Sequence, residues 1–456
     1  MDKLVERLTS VLGSGAVVTD PDVLETHRQD TATFCTAGVP LVLVRPASTA
    51  EVQEVVRAAG EYGVPIVTQG ARTGLSGAAN AIDGCILLST ARMNKVLEVS
   101  AEDQVAVVQP GVVNAELSRA VLEKGLFYPP DPSSWEMSTV GGNIATNAGG
   151  LCCVKYGVTG DFVRGLEVVL ASGEVVRTGR RTVKGVAGYD LTHVIVGSEG
   201  TLGIVTEATL ALRPAPEAAL TAAATFLSIE EGVAAAAAVM ASGLRPSLLE
   251  FIDGITARAI QDYRDMGLPA NVEALLLAQS DRGPRAAEDV AAIAEICTAH
   301  GAVDVAVASD ADESEMLLEA RRLVHFANEK RGTTLIDDVA VPRSRLVELL
   351  HGIDAISKQY DVLIACPGHI GDGNMHPTVV FDQADPAARA RALEAFGAVM
   401  ELGLSLGGTI TGEHGVGKLK REWLAQELGP VGLQLQRDVK AAFDPRGLLN
   451  PDKLFL

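Results

Sequence analysis

A chain of 456 residues is too long for one hydrophobic core, so two domains are expected. Apolar residues make up 47% and charged residues 21%, which fits a soluble globular protein. The formal net charge of -20 argues against a nucleic-acid partner, which clustered Lys and Arg would have to hold. The cysteines Cys35, Cys85, Cys152, Cys153, Cys297 and Cys366 contain no Cys-x-x-Cys pair. That argues against iron–sulfur and structural zinc sites and favours buried thiols, Cys152 and Cys153 included.

Met1-Asp2-Lys3-Leu4 begins an amphipathic helix within an N-terminal helical segment, residues 1–38. No signal peptide or membrane-spanning run is visible. A cytoplasmic protein is expected, with loose attachment to a membrane through a partner left open. Leu41-Val42-Leu43-Val44 reads as a buried strand, and Ser48-Thr49-Ala50-Glu51 has capping-box form. Val52, Val55, Val56 and Ala59 follow at helical spacing, Gly63 ends the helix, and Val64 to Val67 returns as a strand. This strand–helix–strand unit runs into Gly70-Ala71-Arg72-Thr73-Gly74-Leu75-Ser76-Gly77. A second cycle has a strand at Val105 to Val108 and a helix capped by Asn114. Residues 129–150 read as turn-rich loops. Strands at Gly165 to Leu170 and Glu174 to Thr178 flank a hairpin turn, and Ile204 to Leu212 closes this half.

Pro214-Ala215-Pro216 marks a domain boundary, giving a first domain at 39–214 and a second at 215–404. In the second, strands are expected at Ala222 to Leu227, Leu248 to Phe251, Ala274 to Leu277 and Val303 to Ala308. Helices are expected at Glu230 to Ala241, Leu317 to Glu329 and Ala387 to Leu404. A strand at Val362 to Cys366 leads into Gly368-His369-Ile370-Gly371-Asp372-Gly373-Asn374-Met375-His376. The remaining segment, 405–456, carries Glu413-His414.

Two chemistries follow. A diphosphate is held by backbone N–H groups where a side chain would block approach, so glycine is needed. The 70–77 loop supplies three glycines plus the Thr73 and Ser76 hydroxyls, but it is neither a nicotinamide nor a P-loop fingerprint. Alone it reads as a tight turn. With Val140 to Gly150 and Gly197 to Gly203 it is better explained by one long ligand threaded across the domain. In the histidine loop the glycines permit a reversal, so His369 and His376 can converge on a metal such as Zn²⁺ or Mn²⁺ with Glu413 as the third ligand. Asp372 and Asn374 shape the turn. Such a Lewis acid would lower the pKa of a hydroxyl on a small metal-chelating substrate, and His414 could take its proton.

Residues 70–77, 139–150 and 197–206 resemble the flavin-binding domain of the vanillyl-alcohol oxidase/p-cresol methylhydroxylase superfamily. The C-terminal motifs resemble its D-2-hydroxy-acid dehydrogenase branch, with D-lactate dehydrogenases and the glycolate oxidase D subunit. The resemblance spans about Val39 to Lys453. It implies an α+β fold: a two-subdomain PCMH-type FAD-binding domain plus an α/β substrate domain with a mainly antiparallel sheet. The implied FAD contacts are Gly70, Arg72, Thr73, Gly74, Leu75, Ser76, Gly77, Asp131, Pro132, Ser133, Thr139, Gly142, Asn143, Asn147, Gly149, Gly150, Tyr156, Gly157, Glu199, Gly200, Ile204 and Asn450. The first loop has no histidine, so FAD is expected to be non-covalent. Arg321 lies where the family carries a substrate-carboxylate arginine, and its neighbour Arg322 points elsewhere on the helix.

Two departures bear on the substrate. Ile336 stands where D-2-hydroxyglutarate enzymes have lysine, and Thr378 where they have asparagine. A small monocarboxylic acid, glycolate or D-lactate, is therefore expected. The electron acceptor is a protein, a quinone or a partner subunit, and a homodimer is a candidate assembly. A metal-independent flavin oxidase, D-2-hydroxyglutarate dehydrogenase, a zinc hydrolase and a non-catalytic subunit remain alternatives.

Overall fold

Short runs that are apolar on both faces, such as Val42–Val44 and Ile86–Ser89, suit parallel strands covered by helices. The computed structural model describes residues 2–455, so Met1, expected to open the first helix, lies outside the described residues. The chain divides into two units. The first comprises residues 1–150, 157–215 and 413–456; the second comprises 151–156 and 216–412. The expected boundaries differ: residues 1–38 are part of the first unit, and Ala215 stays with it. Residues 405–412 go with the second unit, where Thr409 bridges Ala340, and so does the short segment 151–156.

The first unit holds two main sheets among its described residues. One runs Val17–Val18, Val42–Val44, Ile86–Ser89, Ile66–Gln69, and its last three strands are parallel. Helix Thr49–Tyr62 makes the crossover. Ser48 accepts from the Glu51 amide at 3.3 Å, and Gly63 ends the helix at φ +67°. Val52, Val55, Val56 and Ala59 pack against Val42, Val44, Ile66 and Ile86, all essentially inaccessible. Leu448–Asn450 return to this sheet: Ile66 donates to the Leu448 carbonyl and Asn450 donates back to Ile66, each at 2.7 Å. The other sheet is antiparallel, in the order Val96–Ser100, Val105–Val108, Ile204–Ala211, Val163–Val169, Val175–Gly179.

Two expectations fail here. Residues 140–146, read as loop, form a helix. Thr139 caps its start, and Asn147 ends it in the left-handed conformation at φ 52°. Asn114 is not a cap; Val113 takes that place. The Asn114 side-chain Nδ2 instead donates to the Pro130 carbonyl at 2.9 Å, tying the helix to the following loop.

The second unit is built on an antiparallel sheet in the order Asp304–Val307, Leu220–Phe226, Ala274–Ser280, Leu248–Asp253, Gly368–His369, Asn374–Met375, Val339–Ala340. A smaller antiparallel sheet joins Thr333–Ile336, Thr378–Phe381 and Leu363–Ala365. Helices Gly254–Tyr263 and Ala311–Glu329 cover the main sheet through Ala257, Ile260, Ala320 and Val324. The second helix starts earlier than its apolar period suggests, because Asp310 caps it by accepting from the Glu313 amide at 2.9 Å. Cys35, Cys85, Cys297 and Cys366 are buried, whereas Cys152 and Cys153 are only half-buried, contrary to expectation. No helix among the described residues is long and apolar enough to cross a membrane.

Candidate active site

The three glycine-bearing segments of the first unit meet around one cleft. Gly70, Arg72, Thr73, Gly74, Leu75, Pro132, Ser133, Thr139, Gly142, Asn143, Gly149, Glu199, Gly200 and Ile204 line it, with Glu413 and His414. Two glycines are required by close approach. A Cβ on Gly70 would collide with the Thr139 hydroxyl, and one on Gly149 would lie 2.9 Å from Cβ of Glu413. Backbone thus forms much of the wall, and amides can face an anion directly.

Arg72 brings a cation to this cleft from a left-handed backbone position, φ 59°. Burial, then the nearby Arg45, lowers its pKa. Glu199 is also left-handed, at φ 51°, and buried. Its two oxygens accept from the Val416 and Gly417 amides at 2.7 and 2.8 Å. Burial outweighs those bonds and pushes its pKa up to about 7. Asp30, which the sequence reading missed, lines the same cleft; burial raises it to about 6. Nothing in its sequence neighbourhood signals that burial. Nε2 of His414 lies 3.7 Å from Oε1 of Glu413.

Several expected cofactor residues are not among those lining the cleft and make contacts of their own. Ser76 is buried, and its carbonyl accepts from the Lys418 and Leu419 amides. Gly77 turns the chain at φ +77° against Cys35. The Asn147 side chain accepts from the Gly160 amide at 2.7 Å. Asp131 and Gly150 pack on each other, and Gly157 packs on Asp161. Asn450 donates to the carbonyls of Glu199 at 2.6 Å and Ala78 at 3.0 Å, which pins the C-terminal segment to two cleft loops. Tyr156 belongs to the second unit, where its hydroxyl donates to Asp281 at 2.5 Å and its neighbour Lys155 pairs with the same carboxylate.

In the second unit the tight strand pair Gly368–His369 and Asn374–Met375 folds the histidine loop back on itself. The rings of His369 and His376 stand edge-on, 5.0 Å between centroids at 87°. Both histidines are buried. Nδ1 of His369 lies 2.6 Å from Oε1 of Glu250, and Nε of Arg321 donates to Oε2 of the same carboxylate at 2.6 Å. Glu250 is fully buried. Burial pushes its pKa up, but the charges of His369 and Arg321 prevail and hold it below the ordinary value. Nδ1 of His376 lies 3.9 Å from Oδ1 of buried Asp338, whose other oxygen accepts from the Thr411 hydroxyl at 2.7 Å. Arg322 is exposed and pairs with Glu315 on the helix surface. Glu250 and Asp338 were not anticipated. An isolated acid in an apolar strand, Leu248-Leu249-Glu250-Phe251, was the available signal.

Residues 215–454 match the family profile described as FAD linked oxidases, C-terminal domain, and residues 40–179 match the FAD binding domain. The glycolate oxidase subunit GlcD of Bacillus subtilis is 44% identical over 420 residues, spanning 91% of this chain and 89% of that one. A D-lactate dehydrogenase of Anaerostipes hadrus is 35% identical over 463 residues, spanning 99% and 97%. Among solved structures, p-cresol methylhydroxylase has the same fold, with a TM-score of 0.81 at 20% identity over 99% of this chain and 96% of that one. With glycine loops that form a dinucleotide cleft and both family profiles matched, the chain belongs to the FAD-linked oxidases and is an FAD-dependent oxidoreductase.

Proposed function

We propose that the protein oxidises a small D-2-hydroxy acid, glycolate or D-lactate, to the 2-oxo acid. The observation that carries this reading is the Arg321–Glu250–His369 array, in which a partly buried guanidinium suited to a carboxylate and a buried imidazole donor share one buried acid. The names of the Bacillus subtilis and Anaerostipes hadrus relatives support it. Ile336 and Thr378 are cross-strand partners, so the two positions that carry lysine and asparagine in D-2-hydroxyglutarate enzymes form one neutral patch here. That favours a substrate with a single carboxylate.

FAD fits the first unit, since the backbone walls leave room at Gly70 and Gly149 and Arg72 supplies charge for a diphosphate. The cleft loop 70–77 has no histidine, which supports non-covalent binding. A divalent metal, zinc or manganese, fits the donor chemistry of His369 and His376, whose rings are already adjacent. The third ligand, Glu413, is assigned from the donor set and the family resemblance. When bound, FAD would supply a hydride acceptor for C2, and a metal held by His369 and His376 would supply a Lewis acid for the substrate hydroxyl. His414 takes the hydroxyl proton on an imidazole nitrogen. Arg321 holds the substrate carboxylate with its terminal nitrogens. The oxidised C2 becomes the carbonyl, so hydride and proton together account for the two hydrogens lost. Electrons then pass to a separate acceptor. The Bacillus subtilis relative is named as a subunit, which supports a partner chain in that role.

An anaerobic titration tests this reading. Glycolate and D-lactate should bleach the flavin band of the purified protein, L-lactate should not, and chelation should abolish the response. A yellow protein bleached by neither acid would sink the substrate assignment. Bleaching that survives chelation would sink the metal.

A further inference from the structure

We propose that Glu250 is a positioning residue that sets the tautomer of His369 and the aim of Arg321 together. The inference rests on the reading of His369 as a metal donor. Strand Leu248–Asp253 pairs antiparallel with Gly368–His369, with Phe251 opposite Gly368, so Glu250 stands opposite His369. Its carboxylate is fully buried, and each oxygen faces one donor at 2.6 Å.

A carboxylate only accepts, so the proton between it and His369 sits on Nδ1. In the neutral imidazole Nε2 then keeps its lone pair, the form a metal requires. Arg321 spends Nε on the other oxygen, and its two terminal nitrogens remain for a planar bidentate contact. One acid therefore prepares a metal donor and a substrate donor, and it ties them so that neither turns alone.

Glu250→Gln separates this from a merely structural role. A carboxamide has one accepting oxygen and one NH₂. Facing two donors, it must set its NH₂ against one of them. Arg321 cannot stop donating, whereas imidazole can move its proton to Nε2. The Gln oxygen should therefore stay with Arg321, and His369 should switch to the Nε2–H tautomer and lose its metal-binding lone pair. In E250Q/R321M the competing donor is gone, the Gln oxygen can return to Nδ1–H, and the native tautomer should be restored.

The test uses full-length protein with FAD bound and metal stripped. ¹⁵N-histidine NMR reads the tautomer, and titration with Mn²⁺ alone reads affinity. E250Q should retain FAD, show His369 protonated on Nε2, and bind Mn²⁺ about 10- to 100-fold more weakly, as for loss of an outer-shell partner. E250Q/R321M should recover both the Nδ1–H form and Mn²⁺ affinity while substrate turnover stays low. The proposal is overturned if E250Q keeps the Nδ1–H tautomer, if its Mn²⁺ affinity is unchanged, or if the double variant recovers neither. Should E250Q fail to fold, the double variant, which lacks the opposed donors, carries the test. A wild-type protein that binds no Mn²⁺ would remove the metal reading, yet the tautomer comparison would still decide the role of Glu250.

Discussion

The two units build their candidate sites by opposite means. The first makes a cleft largely from backbone, with glycines where loops nearly touch and Arg72 as the charge. The second makes its candidate site from ionisable side chains fastened to one another, with Glu250 and His369 buried and Arg321 partly so. A dinucleotide is long and carries its charge on phosphates that amides can hold, so a glycine-lined cleft suffices. A small hydroxy acid offers few atoms, and each must meet a fixed group. The first design tolerates exchange of single contacts, while the second concentrates its function in a few side chains.

That contrast can be broken most sharply at Glu413, the acid beside Gly149 in the first unit's cleft. Glu413→Gln should lower turnover by more than about a thousandfold, in the range of loss of an essential catalytic group, while FAD stays bound. Stopped-flow flavin reduction and the absorption spectrum read the two effects separately. Loss of FAD together with activity would make Glu413 a wall residue of the cleft instead.

A smaller effect is expected at Arg72. Its left-handed backbone costs about 1–2 kcal/mol, which glycine would relieve. Arg72→Gly should raise the melting temperature of the FAD-free protein and weaken FAD binding by about tenfold, the worth of one charge-assisted contact. The two shifts have opposite signs, so equal stability with unchanged FAD affinity would remove Arg72 from the cofactor site.

The smallest effect is in the pH dependence of the first unit. Burial raises Glu199 to about 7 and Asp30 to about 6, above their unfolded values. Between the ordinary carboxylate range and those values the folded chain holds protons that the unfolded chain has released. Stability should therefore be greatest at the acid end of that window and fall as pH rises through it. Thermal melts from pH 5 to 7.5 should show the decline, and Glu199→Gln should flatten it. A variant that declines as steeply as wild type would remove Glu199 from the cause.

Much of the first unit is written locally. The capping box at Ser48, the apolar spacing of Val52 to Ala59 and the Gly63 stop are each set by neighbours within one turn, and the helix forms over Thr49–Tyr62. The 140–146 helix escaped that reading because its glycines argue for turns. It is stabilised by a cap at each end and by the packing of neighbouring loops. The C-terminal helix Arg421–Phe443 was also missed; Gly429 and Pro430 kink it and interrupt its period.

The sequence by itself nominated the candidate side chains: the glycine loops, His369, His376, Glu413 and His414 through residue type and short spacing, and Arg321 through the family resemblance. Only the tertiary structure decided what orients them. Glu250 is separated from His369 by 119 residues and from Arg321 by 71, and no local pattern links them. Asp30 and Glu199 acquire raised pKa values only when folding removes their water. Propensity and periodicity are short-range properties, whereas burial and the pairing of donor with acceptor are properties of the folded chain.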